Sequence, residues 1–519
     1  MRWIAGFALI STSVGYAQFG GGAGDFSTSG SDAQRSSWIR SDPKISREGL
    51  QKPGFQLLWK VKLANEPKQL NSLSPAALLT RYIGYRGFRA LGFVGGSADK
   101  VFAFDTDLGH IEWQKSLMTS GAPAGASLAC PGGMTANLAR PVSAAFPGGG
   151  GGRGFGGRGG AARSAVGEAG EGAVTLKEFA ARAGGDAGGR RGGNAGPPAG
   201  PGGRVRTASY VHAVSSDGMF HSMYVSNGEE PEPAVKFLPP NANVHGLMVM
   251  DSVAYAVTAG ACGGAPNAVW ALDLASKQVA SWQSPGGIAG SAGAAAGPDG
   301  TLFVTTDAGE LVALESKTLR VKDIYKAGVP FTSSPLVFQH KESAMVAAAA
   351  KDGRIHVLDS TRLGGAVYKS PPLAADSGSE SLATWEDPAG TRFLLASTAV
   401  AVAAVKVVEK DGGPALETAW TSRDITSPLT PLVINGVVFA VSSGEFRSAD
   451  TRMNASQRAQ RSTPAVLYAL DGATGNALWN SGKTITSFVH GGGLSGGGSQ
   501  VYLGTYDGTF YAFGFPIEH

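Results

Sequence analysis

Short runs of β-branched and aromatic residues follow one another along most of the chain, and glycine, aspartate, serine or proline separates them. Long stretches with the apolar spacing of an amphipathic helix are almost absent. Runs of this length and composition are typical of short β-strands joined by tight turns. The pattern therefore predicts an all-β fold, and a chain of 519 residues is too long for one ordinary single core.

One unit of this pattern recurs. It consists of a hydrophobic strand that ends at an acidic residue, a turn that contains glycine, and a strand that ends at tryptophan. Residues 101–113, "VFAFDTDLGHIEW", and residues 467–479, "LYALDGATGNALW", are two copies. Successive units are mostly about 42 to 50 residues apart, which is the period of a four-stranded propeller blade. The acidic residues that end the strands are Asp105, Asp273, Glu315, Asp359 and Asp471.

Weaker units raise the count to eight. Two lack the acid and end near Asn227 and Gly514, and a third lies near Glu409. The last unit has no tryptophan strand, whereas an unassigned strand around Trp59 precedes the first unit. The sequence therefore predicts an eight-bladed β-propeller of four-stranded antiparallel blades, closed by the N-terminal strand, which completes the last blade and removes the open sheet edge.

The tryptophans of the units fall on the outermost strand of each predicted blade. A large ring at a fixed blade position buries apolar area between adjacent sheets, whereas a ring that stacks on a cofactor would have to lie on the central axis. We therefore assign them a structural role. They are Trp59, Trp113, Trp282, Trp420 and Trp479.

The N-terminus has one basic residue, a short apolar run and small residues at Gly15 and Ala17, as in a secretory signal peptide. The apolar run is too short to span a bilayer comfortably. We expect a periplasmic or secreted protein without a transmembrane segment. The predicted organisation is a signal peptide at 1–17, an extended segment at 18–54, the propeller at 55–519, a Gly/Arg-rich disordered insertion within blade 2 at 147–205, and a polar insertion in blade 7 at 443–463.

The positive charge is concentrated in the first insertion. Residues 147–205 hold seven Arg and one Lys against three Glu and one Asp, which accounts for the whole formal net charge of +4. Arginine- and glycine-rich segments can bind RNA, but the expected export of the protein argues against a nucleic-acid partner. The two insertions together could form a docking feature, although their composition names no partner. We expect a monomer with an unknown protein or small-molecule ligand on a propeller face.

Four side chains are candidates for chemistry or binding. Cys130 and Cys262 are the only cysteines, and both fall in loops that open on one face of the predicted disc. We favour a structural disulfide between them, with free buried thiols and a redox-active pair as alternatives. His245 and His490 occupy matching "VHG" triplets at the starts of two innermost strands. They are candidates for ligand or cofactor binding at the channel mouth, and hydrogen-bonded packing is the alternative. We assign no catalytic residue and no metal ligand.

The repeated units, "FDTDLGHIEW" (104–113) and "LDGATGNALW" (470–479), resemble the pyrroloquinoline quinone (PQQ) repeat of quinoprotein-alcohol-dehydrogenase-like propellers. Nearly the whole chain outside the insertions shares the resemblance, which extends to "DFSTSGSDAQRSSW" (25–38), "CPGGMT" (130–135), "CGGAPN" (262–267) and "LATWEDPAGTR" (382–392). The resemblance implies an exported bacterial propeller. In catalytic members it also implies PQQ bound over calcium on the axis, a disulfide between adjacent cysteines and a stacking tryptophan. This sequence has no adjacent cysteine pair and no haem-attachment motif.

These observations lead to three hypotheses of function. The first is an exported binding or scaffold module without catalysis of its own. The second is a PQQ- and calcium-dependent dehydrogenase that oxidises an alcohol or sugar, and these two groups are the only cofactors that the sequence suggests. The third, which rests on fold analogy alone, is an assembly factor for outer-membrane proteins.

Overall fold

The computed structural model describes residues 25–84, 87–118, 127–146, 209–373, 379–410, 413–447, 452–491 and 493–516. The predicted signal peptide and the Gly/Arg-rich insertion lie outside these residues. The described residues form eight small sheets arranged as the blades of a propeller, each running from an innermost strand at the axis to an outermost strand at the rim. The predicted all-β, eight-bladed fold is confirmed. Within the described residues, no helix is long and apolar enough to cross a membrane.

The strands follow one another outward within each blade and pair in antiparallel fashion. Blades 1 to 4 contain Ala77–Gly84, Gly87–Gly96, Lys100–Asp105 and Ile111–Ser116; Tyr210–Val214, Met219–Tyr224 and Val235–Lys236; Asn243–Met250, Val253–Ala259, Ala268–Asp273 and Val279–Gln283; and Ala295–Ala296, Leu302–Thr305, Glu310–Leu314 and Val321–Lys326. Blades 5 to 7 contain Leu336–His340, Ser343–Ala349, Ile355–Asp359 and Val367–Lys369; Leu382–Glu386, Arg392–Ser397, Val402–Lys410 and Gly413–Thr421; and Leu432–Ile434, Val437–Ser442, Val466–Asp471 and Ala477–Asn480.

Blade 8 closes the ring. Its first three strands, Ser495–Gly497, Gln500–Gly504 and Thr509–Gly514, come from the C-terminus, and its outermost strand, Gln56–Lys62, comes from the N-terminus. Trp59 faces Ala512 across this antiparallel pair. The N-terminal strand therefore completes the last blade, as the sequence predicts.

Three blades depart from the simple four-stranded pattern. In blade 2 the innermost position is held by Ala139 alone, which forms an isolated bridge with His212. In blades 3 and 7 an extra short strand, Pro141–Val142 or Trp38–Ile39, pairs in parallel with the innermost strand. Two short α-helices are described, Arg47–Gln51 and Ala455–Arg461, and the second lies in the predicted polar insertion.

The segment at residues 25–42, which we call the collar, runs around the inside of the ring and includes tight turns between Ser27 and Arg35. It forms a hydrogen bond with the innermost strand or adjacent turn of every blade, in order from blade 1 to blade 8. Phe26 O accepts from Leu78 N, Ser27 O from Arg140 N, Thr28 Oγ1 donates to Leu247 O, Ala33 O accepts from Ala296 N, Gln34 O from Val337 N, Ser36 O from Thr384 N, Ser37 O from Val433 N, and Asp42 Oδ2 from Ser499 N.

Arg35 fixes the collar at the axis. Its side chain is fully buried and donates to the carbonyl oxygens of Ala294 and Gly246, which belong to blades 4 and 3. It also donates to Ser29 O and to Thr28 Oγ1, at 2.7 and 2.9 Å, within the collar itself. Burial lowers the pKa of Arg35 to about 10, so the guanidinium remains charged at neutral pH. One side chain thus joins the collar to two neighbouring blades.

We predict that Arg35→Gln lowers the free energy of unfolding by about 3 to 5 kcal/mol, because a shorter amide leaves several buried carbonyl oxygens without a donor. Denaturant unfolding followed by tryptophan fluorescence measures the change. Arg320→Gln is the matched control, because Arg320 pairs with Glu315 at the surface and its side chain is 77% exposed. Equal midpoints for the two variants would contradict the anchoring role of Arg35.

The outer-strand tryptophans dock onto the next blade around the ring. The indole nitrogens of Trp59, Trp113 and Trp420 donate to backbone oxygens of that blade, at 2.9, 3.0 and 2.9 Å. Each ring also covers a glycine of the turn before the neighbour's outermost strand, where an added Cβ would come within 2.5 to 2.6 Å of it. These glycines are Gly109, Gly228 and Gly475, with φ of +66°, +72° and +74°. A side chain is thus disfavoured there both by the backbone and by the ring.

The acidic residue of the repeat shapes the same turn. The Oδ1 atom of Asp471 accepts from the backbone nitrogens of Ala473 and Thr474, at 2.9 and 3.0 Å, and Asp105 does the same in blade 1.

The remaining tryptophans of the repeat units pack differently. Trp479 makes edge contacts with aromatic rings of the closing region, and Trp282 lies against the core between blades 3 and 4.

We predict that Gly475→Ala destabilises the protein more than Gly328→Ala. Both glycines have a left-handed φ, +74° and +77°, but an added Cβ at Gly328 meets nothing within 4 Å. Gly328→Ala, the control, should lower the free energy of unfolding by about 1 to 2 kcal/mol through backbone strain alone. Gly475→Ala should lower it by about 1 to 3 kcal/mol more, because the Trp420 ring must move. Thermal unfolding compares them, and equal losses would show that the ring contact has no energetic weight.

Candidate functional site

A cavity of about 400 Å³ lies at one mouth of the central channel. Its walls are the segments just before the innermost strands of blades 1, 2, 3, 4, 6 and 8, together with a loop of blade 7, and Ser29 of the collar also lines it. Asn71, Asn137 and Asn243 contribute amide groups to this lining. The Oδ1 atom of Asn137 is buried and has no hydrogen-bond partner. Asn137 thus brings a buried acceptor without a hydrogen-bond partner to the wall of this cavity.

The charged part of this cavity comes from blades 7 and 8. Glu445 is 3% exposed, and its carboxylate lies 3.0 Å from His490 Nδ1 and 3.3 Å from Arg447 Nε. Burial alone would raise the pKa of Glu445. The contact with His490 and the charges of His490, Arg447 and Arg458 outweigh burial, and the pKa lies below its usual value. Glu445 is thus an ionised carboxylate at neutral pH, held by three basic side chains.

The two histidines singled out by the sequence, His245 and His490, both line the mouth cavity. Burial lowers the pKa of His245, and the charge of Glu380 only partly opposes this effect. The imidazole of His245 is therefore neutral at pH 7. The two histidines differ in environment, since only His490 contacts a buried carboxylate.

The disulfide predicted between Cys130 and Cys262 is present, with the two Cα atoms 5.4 Å apart. It joins the loop before blade 2 to the loop between the second and third strands of blade 3. Leu128 and Pro131, on either side of Cys130, line the mouth cavity. The disulfide thus holds one wall of the cavity, and it is consistent with an extracytoplasmic protein.

Sequence reasoning missed the strongest charges of the mouth. Glu445, Arg447 and Arg458 all lie in the polar insertion at 443–463, which the sequence marked only as part of a docking feature without an identified partner. A signal was present, because "GEFR" (444–447) places opposite charges two residues apart just after a buried strand. What the sequence did not indicate is that blade 7 and blade 8 bring this segment next to His490.

The calcium ion and quinone of catalytic propellers would need suitable ligands among the residues of the mouth. Calcium takes six to eight oxygen ligands, whereas no three His, Cys, Asp or Glu side chains of the described residues lie close enough together to hold a metal ion. The buried carboxylate of Glu445 is already occupied by His490 and Arg447. The cysteines are 132 residues apart rather than adjacent. The described residues therefore offer neither a cluster of His, Cys, Asp and Glu ligands for calcium nor an adjacent cysteine pair beside PQQ.

The chain folds as an eight-bladed propeller, and the predicted resemblance to PQQ-repeat propellers is confirmed. Residues 266–462 match a family model described as outer membrane protein assembly factor BamB. Among curated proteins, no sequence matches this chain.

Two solved enzyme structures agree on the fold. A quinohemoprotein alcohol dehydrogenase from Comamonas testosteroni superposes with a TM-score of 0.55 and 13% identity, over 95% of this chain and 81% of the other. The ADHIIG enzyme of the same type from Pseudomonas putida HK5 gives 0.53 and 11%, over 96% and 81%. BamB from Moraxella catarrhalis gives 0.48 and 12%, over 90% and 99%. At these identities the likeness concerns architecture alone.

We predict that Glu445→Gln destabilises the protein at neutral pH and that the difference from wild type shrinks in acid. A carboxyl group whose folded pKa is depressed stabilises the fold above its unfolded pKa, and this contribution disappears as pH falls through the folded pKa. Unfolding free energies between about pH 7 and pH 3 measure the effect. Glu232→Gln is the control, because its carboxylate is 67% exposed. A difference that stays constant across this range would contradict the pairing.

Proposed function

We propose that the protein is an exported binding module, periplasmic or secreted, which holds a segment of a partner protein at the channel mouth. The observation that carries the proposal is the composition of the mouth cavity. The basic groups of Arg447 and Arg458, the carboxylate of Glu445 and the amide of Asn137 line a cavity of about 400 Å³ there. A cavity of this size accepts a few side chains of a partner.

Two further points support a binding role. The disulfide and the predicted signal peptide agree with export. The family model that matches residues 266–462 is named for an outer membrane protein assembly factor, a protein that acts on other proteins. The alternative, a PQQ- and calcium-dependent dehydrogenase, draws support only from its fold, because the described residues of the mouth lack a suitable set of metal ligands.

Site-specific photo-crosslinking in cells that export the protein tests this proposal. A photoreactive residue in place of Arg447 should give a recurrent adduct with one protein. The same residue in place of Lys326, which lies on the outermost strand of blade 4 and is 76% exposed, should not. His490→Ala should weaken the Arg447 adduct, because it releases Glu445 from its partner in the cavity wall.

Either of two results would overturn the proposal. The first is an identical adduct pattern from positions 447 and 326, which would mean that the mouth has no special affinity. The second is dye-linked oxidation of an alcohol or sugar by the purified protein after addition of PQQ and calcium. That second result would establish the dehydrogenase instead.

A further inference from the structure

A second and larger cavity, of about 780 Å³, lies at the opposite ends of the innermost strands, between blades 5 and 6. Trp38 and Arg40, just inside the end of the collar, form one wall. The turns after the innermost strands form the other, with Lys341 in blade 5 and Arg392 in blade 6. Because the first cavity lies at the starts of these strands, the two sites are separate. The inference below does not depend on the function proposed for the mouth.

Two arginines share one aromatic ring in this cavity. The Cζ atom of Arg40 lies 4.1 Å from the ring centroid of Trp38, and that of Arg392 lies 5.2 Å from it. Arg392 is only 6% exposed. The Nε atoms of both arginines are buried and have no hydrogen-bond partner. Trp38 thus holds two guanidinium groups whose Nε–H donors are unused.

The neighbouring carboxylates compensate only part of this charge. Glu386 forms an ion pair with Arg392, and Glu409 lies 3.0 Å from both Lys341 Nζ and His340 Nε2. Arg40 forms no ion pair with a described carboxylate, although the charges of Asp32 and Glu386 oppose the effect of burial on its pKa. Burial lowers the pKa of Arg40 and lowers that of Arg392 to about 10, so both remain charged at neutral pH.

Two like charges on one ring, with buried donors unsatisfied, are unfavourable unless a ligand meets them. An unpaired buried donor costs free energy that a hydrogen bond would recover. The planar guanidinium matches the paired oxygens of a carboxylate or phosphate, and such charge-assisted hydrogen bonds are the stronger kind. The ring beside them offers an apolar surface to the rest of an organic ligand.

We propose that this second cavity binds a small organic oxyanion, whose carboxylate or phosphate oxygens accept hydrogen bonds from Arg40 and Arg392 beside the ring of Trp38. A volume of about 780 Å³ exceeds the room that a bare inorganic ion needs. The ligand therefore carries a carbon skeleton as well as its charged group.

Isothermal titration calorimetry of the full-length protein, at constant ionic strength, tests the site with two probes, citrate for carboxylates and glycerol 3-phosphate for phosphates. At least one should bind the wild type with a measurable heat, and the stronger of the two identifies the charged group of the ligand. Arg40→Gln should weaken binding by about tenfold or more, because it removes one charge-assisted donor group. Arg40→Lys should restore part of the affinity, since it keeps the charge without the planar fork.

Arg423→Gln is the matched control. Arg423 also lies over an aromatic ring, 5.4 Å from the centroid of Tyr468, but outside the cavity. The Arg423→Gln variant should bind each probe with the affinity of the wild type. Circular dichroism verifies that each variant is folded. The proposal fails if neither probe binds at up to about 10 mM, a concentration that would nearly saturate a millimolar site. It also fails if Arg40→Gln binds as tightly as the wild type, or if Arg423→Gln weakens binding equally.

Discussion

The hydrogen bonds of the collar to every blade are the constraint on which the rest of the structure depends. A propeller blade pairs its own strands, and its innermost strand is an edge that faces the channel with unused backbone groups. The collar satisfies some of these groups from blade 1 to blade 8 in one circuit. Arg35 adds donors to carbonyl oxygens of two blades at the point where the collar turns. The axis is therefore tied together by a single segment.

The same segment closes the ring at its rim. After the collar, Ile45 O accepts from Asn435 Nδ2 in blade 7, and Arg47 pairs with Asp471 at 2.9 Å in the same blade. The chain then becomes the outermost strand of blade 8, where Trp59 docks onto blade 1. One continuous part of the chain therefore forms both the collar and the outermost strand of blade 8. Both pair residues of the N-terminus with distant strands: Trp38 pairs with Val433, 395 positions later, and Lys62 with Thr509, 447 positions later. The topology is therefore dominated by non-local contacts.

The repeat explains why the blade number and the closure could be predicted. Asp471, Gly475 and Trp420 each meet a local or neighbouring-blade requirement: a turn acceptor, a left-handed backbone and a docking ring. Such requirements recur in several blades and leave a visible period in the sequence. The positions of Cys130 and Cys262 followed from the same period, because their loops open on one face of the disc.

The collar and the charged part of the mouth could not be predicted in this way. Residues 25–42 are rich in serine and lack alternation, since their partners come from eight different strands rather than from one sheet face. Glu445 and His490 meet because two blades are adjacent in space, and each has an unremarkable local sequence. The stacking of Arg40 and Arg392 on Trp38 joins residues about 350 positions apart and follows no period. Long-range contacts without repetition leave little trace in a single sequence.

The two cavities share one element, because residues of the collar line both of them. Ser29 lines the mouth cavity, whereas Gln34, Ser36, Trp38 and Arg40 line the second, so one segment contributes to both ligand sites. Arg35, in the same segment, donates to carbonyl oxygens of blades 3 and 4. Because the collar is hydrogen-bonded to every blade, the collar side chains of both sites stand on a backbone that all eight blades fix.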